Sequence, residues 1–258
     1  MSQPPEEASQ EVAMARTALA ELLEEGLDRV DLGDAAEPGD LSSKPVESGR
    51  DEATEKPSAP QATALEVPSW GTHPSLEKVR ESLGECQRCG LCEGRKTIVF
   101  GDGHPEADLM FIGEGPGENE DLQGLPFVGR AGELLTQMIE KGIGIPRQEV
   151  YICNIVKCRP PGNRNPLPPE VAACRPFLDG QIDAVRPKVI VSLGKPAASL
   201  LLDRNVAITR IRGTWHEYRG IPLMPTLHPA FVLRQYSEAN RRAVWQDLQA
   251  AAQRCREA

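Results

Sequence analysis

From about Gly71 onward, short apolar runs alternate with stretches of helical periodicity, and that alternation constrains the fold more than any other feature. Strands separated by helices pair in parallel, and a parallel sheet needs helices over both faces. Leu109-Met110-Phe111-Ile112 stops at Gly113 and reads as a buried strand. Ala131 to Lys141 sets Leu134, Leu135, Met138 and Ile139 on one helical face. Val150-Tyr151-Ile152 and Ile155-Val156 flank Asn154 in a second strand. Pro168-Pro169-Glu170 opens a helix, with proline where the first turn tolerates it. Val189-Ile190-Val191 is a third strand, stopped by Gly194, and Ile221 to Met224 is a fourth. Ser237 caps a last helix through Arg254. The expected class is α/β with a mostly parallel sheet. Ligands on such sheets sit at the carboxyl ends of the strands. Gly113 to Asp121, Asn154 to Asn165, and His228 fall at those ends.

Charge separates a tail from this body. Residues 1–70 hold 16 Asp/Glu and 5 Lys/Arg, a net of −11, against −9 for the whole chain. The remainder is therefore at +2, and it can bind nucleic acid if its basic residues cluster on one face. Leu19, Leu22, Leu23, Leu27 and Val30 recur at helical spacing between Glu11 and Val30. They mark either a docking helix for a protein partner or a short helix without a fixed role. From Asp34 to Ser69 the chain is rich in Pro, Ser, Glu and Ala, too poor in large apolar residues to offset its ordering entropy, and a disordered linker is expected. The domains expected are thus an acidic extension over 1–70 and a folded body over 71–258. There is no apolar run of membrane-spanning length and no basic-then-apolar leader, so the expected location is cytoplasmic, nucleoid-associated in a prokaryote.

In that reducing compartment seven cysteines favour metal or cluster ligation over disulfides. Cys86 and Cys89 form a CxxC pair, with Cys158 and Cys174 far downstream. A tight pair and a loose pair close a tetrahedral thiolate site, and by spacing alone zinc and iron–sulfur stand level. Cys92 extends the pair and is a rival ligand. Cys153 lies inside a strand and reads as core, and Cys255 carries no assigned function.

Gly113-Glu114-Gly115-Pro116-Gly117-Glu118-Asn119-Glu120-Asp121 follows a strand. It lacks Gly-Lys-Ser/Thr, and its carboxylates would repel phosphate. It is either a loop that positions water or contacts a neutral base, or a capped turn with Glu120 or Asp121 at a helix N-terminus. Phe127, in a Gly-rich loop, either stacks on a base or folds into the core. Asn154 interrupts an apolar strand, where a buried amide needs partners. Its carbonyl can accept from uracil N3–H while its NH2 donates to O4, a pattern that cytosine does not match. His228 can donate to O2 as charge develops on a departing base, or it is a satisfied structural histidine.

Taken in order, Gly-Glu-Gly-Pro-Gly-x-x-Glu-Asp, Pro-Phe-Val-Gly, Asn-Ile-Val-Lys-Cys-Arg-Pro-Pro-x-Asn-Arg and His-Pro-Ala, with the cysteine spacing, resemble a family 4 uracil-DNA glycosylase from about Cys86 to Leu248. The resemblance implies an α/β/α sandwich and a [4Fe–4S] cluster on Cys86, Cys89, Cys158 and Cys174, with Cys92 a bystander. It implies that Glu114, Gly115 and Pro116 line the pocket, that Phe127 stacks on uracil, that Asn154 reads its edge and that His228 steadies the leaving base. Glu120 and Asn163 look like further pocket residues. A sibling group is trapped on DNA through a His in a basic insertion; here that place reads Lys157 to Arg164 with no His, so turnover is expected.

The function these features imply is a monomeric, monofunctional glycosylase that leaves an abasic site in single- or double-stranded DNA. Beyond Lys157, which sits in the cysteine motif, no lysine is evident in the motifs to act as an amine nucleophile. Glu114 or Asn163 is expected to position water, and Arg159, Arg164, Arg212 and Arg234 are candidates for phosphate contacts. Two alternatives are a same-fold glycosylase for another deaminated base such as hypoxanthine, and a non-catalytic DNA-binding module bearing a cluster or zinc.

Overall fold

Every residue of Leu109–Gly113 is buried, and so is every residue of Tyr151–Asn154 and Val189–Leu193. A strand without a wet face must lie inside a sheet covered on both sides. The computed structural model, which describes Trp70, Gly71 and residues 73–257, has that sheet. Its strands are β1 (Asp102–Gly103), β2 (Leu109–Gly113), β3 (Tyr151–Asn154), β4 (Val189–Leu193), β5 (His216–Tyr218) and β6 (Ile221–Thr226). Their spatial order is β1-β3-β2-β4-β6-β5. The inner four are parallel, and β1 and β5 close the edges antiparallel. The helical expectation over 11–30 and the linker over 34–69 lie outside the described residues.

The helices are α1 (Leu76–Leu83), α2 (Glu118–Gln123), α3 (Arg130–Gln137), α4 (Pro168–Val185), α5 (Gly194–Leu201), α6 (Ile208–Ile211), α7 (Pro229–Arg234) and α8 (Glu238–Glu257). Alternate strand residues feed two cores, as a period of two demands. Met110, Ile112, Cys153, Ile190 and Leu223 meet Leu178 and Ile182 of α4 and Ala197 of α5. Leu109, Phe111, Ile152, Val191 and Met224 meet Leu135 of α3, Val232 of α7 and Leu248 of α8. The three-layer sandwich follows. Cys153 is core, as its place in the strand pattern predicts.

Some details differ from the sequence expectation. Gly194 stops β4 as expected, and it also opens α5: at φ +85° it turns the strand directly into the helix, with no loop between. The helix that starts at Arg130 widens after Gln137 into a π-helical segment, Met138–Ile143. The last helix runs to Glu257, and the Ser237 hydroxyl accepts from the Asn240 N–H at 3.1 Å, as a cap should. Trp70, the last residue of the expected tail, packs edge-on against Phe177 with ring centroids 5.6 Å apart.

One buried ion pair fixes β6 against α8. Asp247 is 2% exposed and receives both the Arg212 guanidinium and the Thr226 hydroxyl, the latter at 2.6 Å. Arg212 is therefore a structural residue and not a free phosphate contact. Asp247→Ala would strand the guanidinium and the hydroxyl together. Breaking a fully buried pair costs about 3–5 kcal/mol, and the partly exposed Arg212 places this case near the lower bound. We expect a loss of about 3 kcal/mol in urea unfolding with an unchanged m-value.

Candidate functional site

The parallel strands reverse direction of winding between β2 and β4, where a crevice opens beyond their carboxyl ends. A cleft of about 500 Å³ lies there. Glu114, Gly115 and Pro116 line it from the loop after β2, Glu120 from the first turn of α2, and Phe127 from the loop before α3. Asn154 comes from the end of β3, Asn163 from the turn beyond it, and His228 from the end of β6. All eight residues expected from the sequence to form a pocket thus share one cleft.

Glycines let these groups approach. A Cβ on Gly113 would collide with Oδ1 of Asn154 and stand 2.6 Å from the Phe127 ring. Phe127 itself sits at φ +54°, a conformation that side-chain-bearing residues hold only when surroundings enforce it. Gly132 allows it, since any side chain there would run into the Phe127 backbone. Arg147 fixes the same loop by donating to the Pro126 carbonyl at 2.7 Å.

The carboxylates divide their work. Glu120 accepts N–H bonds from Gly117 at 3.1 Å and from Val128 and Gly129 at 2.9 Å each. It therefore clamps the two pocket loops together. Asp121, also buried, holds the Lys96 and Thr97 amides. Glu114 differs: its Oε1 is buried without a partner among the described residues, and burial raises its pKa. Asn154 is the same kind of group, with Oδ1 buried and unpartnered. Each orphan acceptor costs about 1–3 kcal/mol unless something donates to it.

His228 is the N-cap of α7, and its Nδ1 accepts from the Ala230 N–H at 3.1 Å. That bond puts the ring proton on Nε2, leaving Nε2–H as a donor. Burial first, and Arg234 second, lower its pKa to about 4, so the ring is neutral. Its plane tilts 33° from that of Phe127, with centroids 5.7 Å apart. Asn163 stands at φ +55° and its Oδ1 accepts from Arg159 at 2.8 Å. Arg164 is held bidentate by Glu170, and Arg234 lines the cleft. Lys195, at the start of α5, also lines it. The sequence motifs do not include Lys195; Gly194-Lys195 directly after a strand was the one available signal.

Cys86, Cys89, Cys158 and Cys174 line a second, smaller cavity, and Cys92 joins them. Burial pushes the Cys89 and Cys158 thiols up, and that of Cys174 to about 12. Such thiols stay protonated unless a metal draws the proton off. Arg95 donates to the Cys158 sulfur at 3.4 Å. Among the described residues no three His, Cys, Asp or Glu side chains are arranged to hold a single metal ion. A cluster gives each thiolate its own iron, so its ligands need not converge on one point. Five sulfurs and the cations Arg88, Arg95 and Lys157 around one cavity fit an anionic thiolate cluster in their chemistry.

Fold and cleft together define an α/β protein with a ligand-sized cleft at the carboxyl ends of its parallel strands. The chain belongs to the uracil DNA glycosylase superfamily, whose family model matches residues 100–249. It is 47% identical over 167 residues to a type-4 uracil-DNA glycosylase of Sulfurisphaera tokodaii, covering 62% of this chain and 76% of that one. It is 47% identical over 178 residues to a type-4 uracil-DNA glycosylase of Thermotoga maritima, covering 68% of this chain and 92% of the relative. A third type-4 enzyme, from Saccharolobus solfataricus, is 43% identical over 182 residues, with 67% and 83% covered. No helix among the described residues is long and apolar enough to cross a membrane.

Proposed function

We propose that the cleft takes a uracil turned out of DNA and that Asn154, Phe127 and His228 recognise it while Glu114 or Asn163 positions the attacking water. The enzyme is a uracil-DNA glycosylase, a hydrolase of N-glycosyl bonds that works in DNA repair. The observation that carries the pocket assignment is the orphaned Oδ1 of Asn154, buried beside Phe127. Uracil N3–H supplies the missing donor and O4 takes the amide N–H. Cytosine has no N3–H and would leave the acceptor orphaned.

The chemistry follows from the groups at hand. Unstacking the target base costs a few kcal/mol, and stacking on Phe127 offsets part of it. As the glycosidic bond lengthens, negative charge collects on the base. The neutral His228 donates Nε2–H to O2 and stabilises that charge. Glu114 carries the second orphan acceptor, and its raised pKa brings it closer to the pH at which it can take a water proton. Water adds to the sugar and leaves an abasic site. Arg234 and Lys195, which line the cleft, are the cations offered to the DNA phosphates.

The thiolates of Cys86, Cys89, Cys158 and Cys174 would hold a [4Fe–4S] cluster that ties the segment before β1 to the turn after β3. It supplies a structural cross-link and no reaction step. The domain boundary near residue 70, a monomeric state, a protein partner for residues 1–70 and a cytoplasmic, nucleoid-associated location complete the reading.

The test is a set of single- and double-stranded oligonucleotides carrying uracil or hypoxanthine, followed by alkali. Cleavage of uracil strands only after alkali is expected, with no adduct on borohydride treatment. A trapped adduct would overturn the monofunctional reading and implicate Lys195. No abasic product would remove the catalytic reading. Protein purified without air is expected to be brown and to contain iron; zinc in its place would sink the cluster assignment.

A further inference from the structure

Lys157 is the only buried cation among the described residues, with no solvent exposure at all. An ammonium stripped of water needs an anion or its burial costs several kcal/mol. No carboxylate pairs with it among the described residues. Its Nζ instead donates to the Asn154 carbonyl at 2.6 Å. The anion must come from the other side, and there Lys157 lines the cysteine cavity. Its charge acts on Cys174 and Cys153, against the rise that burial causes in both thiols. Its carbonyl accepts from the Val99 N–H at 2.8 Å, so the backbone is pinned as well.

We propose that Lys157 is the internal counter-ion of the thiolate cluster and, through the Asn154 carbonyl, a positioning residue for uracil recognition. One side chain thereby joins the two sites. The anionic sulfurs balance its charge, and the ammonium holds the end of β3 where the Asn154 amide must face the base. Recognition tolerates little displacement, so a strand end released by even an ångström loses rate. The first half of the inference rests on the cluster assignment and the second on the glycosylase reading.

Two substitutions separate the halves. Lys157→Met removes both charge and donor at similar length, whereas Lys157→Gln removes the charge and keeps an N–H for the Asn154 carbonyl. Iron content, the cluster's reduction potential and the single-turnover rate on a uracil oligonucleotide are measured for each. A nearby cation favours the more negative reduced cluster. Both variants are therefore expected to shift the potential to more negative values, and Lys157→Arg to leave it near wild type. The single-turnover rate is expected to fall about tenfold or more in Lys157→Met with KM little changed, and to recover substantially in Lys157→Gln. If Lys157→Met does not accumulate as folded protein, Lys157→Gln carries the potential measurement. An unchanged potential in the iron-loaded variants would overturn the counter-ion assignment. A wild-type rate in folded Lys157→Met would overturn the positioning role. Wild-type protein that excises nothing would instead refute the glycosylase reading and leave the potential to decide the first half alone.

Discussion

Asn154→Ala is expected to lower single-turnover excision of uracil by about 10³-fold while leaving the melting temperature unchanged. The first figure comes from two lost hydrogen bonds to the base, of which the bond to O4 strengthens as charge develops. The second follows from the free protein. Oδ1 of Asn154 has no donor among the described residues, so truncation removes an unsatisfied buried acceptor and not a satisfied one. Relief of that penalty, about 1–3 kcal/mol, offsets the small cavity left behind. Asn154→Asp is the companion variant. Its carboxylate could still accept from N3–H, but it has no donor for O4 and would oppose the charge on the departing base, so it too should be slow. Rates by quenched flow and melting by circular dichroism decide the matter. Activity and melting temperature that fall together in Asn154→Ala would mean the amide holds the fold and does not read the base.

That a buried amide should sit at the end of β3 was legible from an apolar strand interrupted by one Asn; that its Oδ1 has no donor among the described residues was not. Three of the inner strands were legible because complete burial leaves near-continuous apolar runs, and the fourth, β6, because its buried half carries Leu223 and Met224. The edge strands were not. Asp102–Gly103 and His216–Tyr218 are too short to show a period, and their partly exposed faces carry no apolar signal. The cleft's chemistry was readable because its groups cluster at strand ends, but its construction was not. Glu120 looks like a pocket carboxylate, yet it is engaged by three amides, two of them eight and nine residues downstream. Gly132 reads as an ordinary helix residue until Phe127 is seen against it. Arg212 was one of four candidate phosphate contacts, but its partner Asp247 is 35 residues away and invisible in the local sequence. Lys157, next to a cysteine, carries no sign in sequence that it would be fully buried. Each of these depends on a contact that only the folded chain creates.

The histidine gives the second large effect, and pH separates its role from that of Glu114. His228→Asn keeps a good helix N-cap but has no group that reaches as far as Nε2. Removing one donor to a developing oxyanion costs about 10²–10³ in rate, and that loss is expected here. The pKa of His228 is about 4, so the ring is neutral over the working range and its protonation cannot produce a limb near 6.5. An acid limb in the wild-type rate should instead report Glu114, whose pKa is raised by burial. The limb should persist in His228→Asn and vanish in Glu114→Gln. Stability carries the opposite signature. The unfolded histidine titrates at 6.5 and the folded one at about 4, so the unfolded state binds the extra proton in between. The neutral ring's contribution is complete above pH 6.5 and is lost as pH falls toward 4, by roughly 3 kcal/mol in all. Denaturation of wild type and His228→Asn across that window isolates the effect, because their difference cancels the carboxylates. A difference that does not change with pH would show that His228 is not held neutral, and a charged ring would then have to be the donor to the leaving base.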